Sequence, residues 1–259
     1  LREALTNLAW HQATPVYDAG DVCCPESDME AAQQELAELT AKLIREGHRP
    51  LVLGGGHETS WGTFQGIVSA RPTAVVGVIN IDAHLDLRAD EPGNSGTSFA
   101  QIANWCAKQD VPFRYLCLGV SEASNTAALF NQAYALRAEY ETDVDLHPWD
   151  LARVRQRVVE FAGQVDLLHL SLDLDVLPGW VMPAVSAPAG AGVAFDIVEA
   201  LISTALACPN VIAMDVVEFN PWLDPTGAAV RTAARLVWRA SAQWSFPQWP
   251  PNDTLLVRR

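Results

Sequence analysis

The chain has 259 residues, 49% hydrophobic and 19% charged, enough for one large α/β domain with a sizeable core. Its net charge is −14, from 31 acids against 17 bases, and no basic stripe is visible, which argues against nucleic acid as a partner. No apolar run of about 18 residues occurs, so no membrane-spanning helix is expected, and no signal peptide is recognisable.

The five cysteines are odd in number and lack metal-type spacing: Cys23 and Cys24 are adjacent, while Cys106, Cys117 and Cys208 are scattered. That pattern favours reduced thiols and a cytoplasmic setting over a disulfide framework. The chain opens on Leu1, not Met, and reads as already inside a protein. We therefore expect a single catalytic domain over 1–259 that lacks an N-terminal segment.

In chain order, Ser27 or Asp28 caps a predicted helix with Met29, Leu36, Leu39, Leu43 and Ile44 on one side and a stop at Gly47. Pro50 to Leu53 reads as a short buried strand entering Gly54-Gly55-Gly56, and Thr59 to about Ala70 as a helix. Ala74 to Ile81 is a Val- and Ile-rich strand. Arg88 to Ser98, rich in Gly, Pro, Asn and Ser, is a natural substrate loop. Tyr115 to Val120 is the next strand, followed by a helix from about Asn125 to Ala138. Asp150 to Gly163 is helical, Asp166 to Leu172 a strand, and Phe195 to Ala207 a helix. Val211 to Val217 is the last strand and Ala228 to Ala242 the last helix; the Pro-rich stretch from Phe246 to Asp253 is expected to lie irregularly on the surface. Strands alternating with helices of this length indicate βαβ units and a mostly parallel sheet. Apolar runs without polar alternation fit a sheet covered on both faces.

Ligands of open parallel sheets bind beyond the carboxyl ends of the strands. Four predicted strand ends carry polar clusters: Gly56-His57, Asp82 to Asp86, Asp173 to Asp175, and Asp215 to Glu218. His57, Asp82, His84, Asp86, Asp173 and Asp175 form a set of four carboxylates and two imidazoles, too many ionisable groups to bury uncompensated. Two divalent cations would balance the four aspartates. Hard oxygen donors with two imidazoles and no thiolate suit Mn²⁺. Two ions about 3.5–4 Å apart can turn a shared water into hydroxide near neutral pH. His169, inside a strand, reads as a hydrogen-bonded core residue; His11, His48 and His147 read as surface. The Gly54-Gly55-Gly56 run lacks the Lys-Ser/Thr of a phosphate loop and reads as close backbone packing near the ions.

Gly54-Gly55-Gly56-His57-Glu58, Asp82-Ala83-His84-Leu85-Asp86, Ser171-Leu172-Asp173-Leu174-Asp175 and Asp215-Val216-Val217-Glu218-Phe219-Asn220-Pro221 resemble the signature blocks of the ureohydrolase family, which includes arginase and agmatinase. Further segments are most similar to its formimidoylglutamase branch: His84 to Arg88, Ser95-Gly96-Thr97-Ser98-Phe99, Gly119 to Ser121 with Ala123 to Thr126, and Val181 to Pro188. The resemblance implies an arginase-like three-layer α/β/α sandwich with a mostly parallel central sheet. It implies a Mn²⁺ pair, with one ion on His57, Asp82, Asp86 and Asp173 and the other on Asp82, His84, Asp173 and Asp175. The implied reaction hydrolyses N-formimidoyl-L-glutamate to L-glutamate and formamide, with Asp86 as proton acceptor and Glu218 holding the substrate's cationic nitrogen group. Relatives commonly form homo-oligomers.

One departure bears on substrate. Arginases and most agmatinases begin the His-Gly block of the substrate loop with His, where this chain has Ser95. That argues against arginine or agmatine. Arg88, just past Asp86, is a candidate for a substrate carboxylate, which arginine binds bidentately. Asn94 and Ser95 are candidate donors, and Arg231 is a second, weaker cation. Three rival readings stand beside this one: another ureohydrolase acting on a guanidino compound, a metal-binding regulatory homologue without turnover, and a metal-dependent amide hydrolase.

Overall fold

The computed structural model describes residues 1–10, 15–24 and 28–244. Eight helices run α1 Arg2–Thr6, α2 Met29–Arg45, α3 Thr59–Ala70, α4 Ser98–Lys108, α5 Ala127–Leu136, α6 Leu151–Ala162, α7 Phe195–Leu206 and α8 Ala228–Gln243 among the described residues. The strands are β1 Leu51–Leu53, β2 Val76–Ile81, β3 Arg114–Val120, β4 Glu139–Thr142, β5 Leu167–Asp173 and β6 Val211–Val217. They form one sheet in the order β1-β6-β5-β2-β3-β4, and every pairing is parallel.

The sheet divides the core in two. Ile79, Leu116, Leu170, Leu172 and Met214 face α6, α7 and α8. Val78, Tyr115, Cys117 and Ala213 face α2, α3, α4 and α5. This is the expected three-layer α/β/α arrangement. Strands β2, β5 and β6 are buried at every position, as a sheet covered on both faces requires. Truncating a residue such as Leu170, with no exposed surface, to alanine would cost about 2–5 kcal/mol.

Local chemistry sets the helix ends. The Asp28 carboxylate accepts from Ala31 N at 3.0 Å and caps α2, while Gly47 takes φ +86° to turn the chain out. The alternative cap, Ser27, lies outside the described residues, as do His11 and the Phe246–Asp253 tail. The fifth helix starts at Ala127, two residues later than expected, because the Asn125 side chain is occupied elsewhere.

Three elements escaped the sequence reading, the short helix α1 among them. Strand β4, Glu-Tyr-Glu-Thr, is an edge strand with no apolar run to announce it. Helix α4 follows the substrate loop without a break. Asn94 accepts from Gly96 N and donates its own N–H to Thr97 Oγ1, a capping box that folds Ser95–Thr97 into a 3₁₀ turn. The loop is therefore more ordered than its composition suggests.

Candidate metal centre

All six proposed ligands meet at the carboxyl end of the sheet. His57 lies in the turn between β1 and α3, Asp82 to Asp86 follow β2, and Asp173 and Asp175 close β5. His57 is held on every side: its carbonyl accepts from Ser98 Oγ at 2.7 Å, its ring sits edge-on to Phe99 with centroids 5.1 Å apart, and Nε2 lies 2.9 Å from Ser171 Oγ. The Asp82–Asp86 turn is clamped from the loop after β3. There the Asn125 amide, 7% exposed, accepts from Leu85 N and donates to the Ala83 and Ser121 carbonyls.

Two ligand groups result, sharing Asp82. His57, Asp82, Asp86 and Asp173 form one; Asp82, His84 and Asp175 form the other, the donor atoms of each lying within 4.8 Å of one another. Oδ2 atoms of Asp82, Asp86 and Asp173 stand 3.1, 3.0 and 3.0 Å from His57 Nδ1. None of these contacts has the alignment of a hydrogen bond, and His57 Nδ1 and Asp175 Oδ1 are buried without a hydrogen-bond partner. His84 Nδ1 is 3.0 Å from Asp175 Oδ2. Asp173, expected in both groups, belongs to the first; its Oδ1 accepts from Asp175 N at 2.8 Å.

Electrostatics shows what the cluster needs. Burial disfavours charge on the imidazoles, but Asp175 and Asp82 push His84 up to about 12. Against the same opposing effect, Asp173, Asp82 and Asp86 hold His57 well above its ordinary value. Burial and the neighbouring Asp82 charge raise Asp175 to about 7, and burial with Asp175 and Asp82 lifts Asp173 well above the carboxylate range. Asp86 also rises, through burial and then Asp82. For Asp82 burial works in the same direction, but the attraction of the adjacent His57 and His84 rings prevails and its pKa falls. The cluster thus retains excess protons unless cations take their place. Orphaned Nδ1 and Oδ1 atoms within a hard N/O donor set fit divalent ions of the Mn²⁺ type.

Glu218 borders this cluster at the end of β6. Its Oε1 accepts from His57 N and its Oε2 from Ser186 Oγ, both at 2.9 Å. Glu218 and Asp86 have φ of 68° and 47°, two of four non-glycine residues with positive φ among those described. Such strain persists only where surroundings over-determine it, and it gathers at functional sites. A Cβ at Gly56 would meet the carboxylates of Glu58 and Glu218 and push them aside.

The Arg88 side chain is half exposed and lies against Gly96, where a Cβ would strike the guanidinium. Its backbone N–H donates to Gly96 O at 2.9 Å, closing the substrate loop on itself. Asn94 spends its amide on that loop, accepting from Gly96 N and donating to Asp90 Oδ2 at 3.2 Å; Ser95 is half-buried beside it. Arg231 is exposed on α8. His48 and His147 are exposed, His147 stacking on Trp149. His169 is buried on Asp215.

Sequence reasoning overlooked the groups behind the ligands. Asn80 donates to Asp82 Oδ2 at 2.8 Å, and Ser171 and Ser60 both bond Asp215. A signal was present: His169, Ser171 and Asp173 alternate along one face of β5, polar positions in an otherwise apolar strand.

Fold and site together define a metal-binding α/β protein whose ligand set suits two ions. The chain matches the Arginase family over residues 1–242 and belongs to that family. It is 52% identical to a formimidoylglutamase of Chromobacterium violaceum over 241 residues, covering 93% of this chain and 78% of the relative. It is 47% identical to that of Aeromonas hydrophila over 241 residues, covering 92% and 76%. Among solved structures, a Bacillus subtilis formimidoylglutamase superposes with a TM-score of 0.83 at 24% identity, covering 93% of this chain and 78% of that one, a likeness of fold. A Trypanosoma cruzi formiminoglutamase solved with Mn²⁺ gives a TM-score of 0.75 at 26% identity, covering 89% and 76%.

Proposed function

We propose that this chain is a Mn²⁺-dependent hydrolase that cleaves N-formimidoyl-L-glutamate to L-glutamate and formamide. The observation that carries the reading is the pair of ligand groups sharing Asp82, whose acidic side chains have no lysine or arginine partner among the described residues. The names of the most similar curated relatives supply the substrate, and Ser95 in place of histidine supports it. One sheet with two helical layers supports a single catalytic domain. Free cysteines support a cytoplasmic setting, and the resemblance supports a homo-oligomer.

Held by His57, Asp82, Asp86 and Asp173 on one side and by Asp82, His84 and Asp175 on the other, two divalent ions would supply Lewis acidity for activating water and polarising the substrate. The chain's own residues do the rest. Glu218, preset by His57 N–H and Ser186 O–H, accepts hydrogen bonds from the substrate's planar amidinium. Asp175 helps to orient it. Asp86 takes a proton from the attacking water and returns it to the glutamate nitrogen as the bond from that nitrogen to the formimino carbon breaks. The water oxygen leaves in formamide. Arg88 pairs with a substrate carboxylate, Ser95 donates from the loop, and Asn94 shapes that loop through its bonds to Gly96 and Asp90. The test is a product assay on Mn²⁺-loaded protein with formimidoylglutamate, arginine and agmatine side by side. Formamide from the first, with no urea from the others, is expected; urea release would overturn the substrate.

A further inference from the structure

A buried polar row runs behind the first ligand group, and the reaction above does not use it. Parallel register sets Asn80, Ser171 and Asp215 abreast on β2, β5 and β6, all without exposed surface. Ser60 reaches the row from α3, and His169 lies two residues before Ser171 on the same face of β5. A carboxylate in such a place is costly unless its lone pairs are filled. Asp215 accepts from Ser60 Oγ at 3.0 Å and from Ser171 Oγ on Oδ1, and from His169 Nε2 at 2.6 Å on Oδ2. Three donors converge on its two oxygens and, against the opposing effect of burial, His169 holds its pKa below the usual carboxylate value, so it is an anion that only accepts.

Counting hydrogens then places one hydrogen on His57 Nε2. Ser171 has one hydroxyl hydrogen, and its short contact to Asp215 directs that hydrogen to Oδ1. Whether Ser60 donates to Asp215 or to Ser171, the Ser171 oxygen is left as an acceptor. It lies 2.9 Å from His57 Nε2, which must donate to it. A neutral His57 with its hydrogen on Nε2 has its lone pair on Nδ1, the atom facing three carboxylates. The second group's His84 has no such tie; Asp82, common to both groups, is held by Asn80 and not by Asp215.

We infer that Asp215 is a positioning residue: through Ser171, it holds His57 in the Nδ1-ligating tautomer and so sets the affinity of the first metal group selectively. This rests on the metal reading above. The test is Mn²⁺ titration of purified, metal-stripped protein by calorimetry, with metal content measured in parallel. Wild-type protein should bind two ions. Asp215→Asn and Ser171→Ala should each weaken one site about 10- to 100-fold, the range for changes behind a ligand, and leave the other unchanged. Metal-free melting temperatures of the variants report loss of packing separately. If Asp215→Asn does not fold, Ser171→Ala decides alone. Two unaltered affinities, or equal weakening of both sites, would overturn the inference while leaving the metal reading intact. Wild-type protein that takes up no Mn²⁺ would instead overturn that reading.

Discussion

Glu141 and the aspartates of the metal-binding cluster are acids held away from solvent, and they are neutralised in opposite ways. At the β4 edge, Glu141 is 5% exposed and takes hydrogen bonds from Arg153 at 2.9 and 3.0 Å and from Arg157, both on α6. At the carboxyl end of the sheet, Asp82, Asp86, Asp173 and Asp175 have two imidazoles and no arginine or lysine among the described residues. An arginine satisfies a carboxylate permanently, with a planar fork that cannot lose its proton. An imidazole supplies one weak, removable charge. The first region is satisfied by the chain's own cations; the second has a ligand set suited to divalent ions.

That contrast can be broken in order of expected effect. Asp82→Ala or Asp173→Ala should remove metal and activity together, with a loss in rate beyond the about 100-fold typical of changes behind a ligand. Metal analysis beside a formamide assay checks this, and activity without metal would end the mechanism. Arg88→Ala should raise KM for formimidoylglutamate about 10- to 100-fold, since hydrogen bonds to charged groups contribute about 1.5–3 kcal/mol, with metal content unchanged. An unchanged KM removes Arg88 from the site. Chelation should lower the melting temperature, and excess Mn²⁺ should restore it, because an ion that binds only the folded chain stabilises it. Arg153→Ala should cost about 1 kcal/mol in denaturant unfolding and leave kcat alone; the arginine is half exposed, so solvent screens much of its pairing. Gly96→Ala should fold normally yet push the Arg88 guanidinium aside, raising KM several-fold, a smaller effect than losing the arginine.

Much of the fold was readable because buried parallel strands announce themselves as apolar runs: Val76–Ile81, Arg114–Val120, Leu167–Asp173 and Val211–Val217 all lie within a few residues of expectation. Strand β4 did not, since an edge strand with charged residues has no such run. Helix α4 carries Phe99, Ile102, Ala103 and Cys106 at helical spacing, yet it follows a Gly- and Pro-rich stretch that reads as loop. The candidate ligand positions stood out in the sequence because Asp-x-His-x-Asp and Asp-x-Asp each follow a strand, and the structure brings them together. The partners behind them were not. Ser60 and Ser171 are 111 positions apart, and only strand register and the seat of α3 on the sheet bring them together.

Asn125 ties the Asp82–Asp86 turn at Leu85 N and Ala83 O through hydrogen bonds that involve none of the proposed donor atoms. A turn braced in this way, independently of the ions, should surrender little conformational freedom on loading. Uptake should then be governed by how quickly an ion sheds its hydration shell, and cations that exchange water slowly should load sluggishly however well they fit.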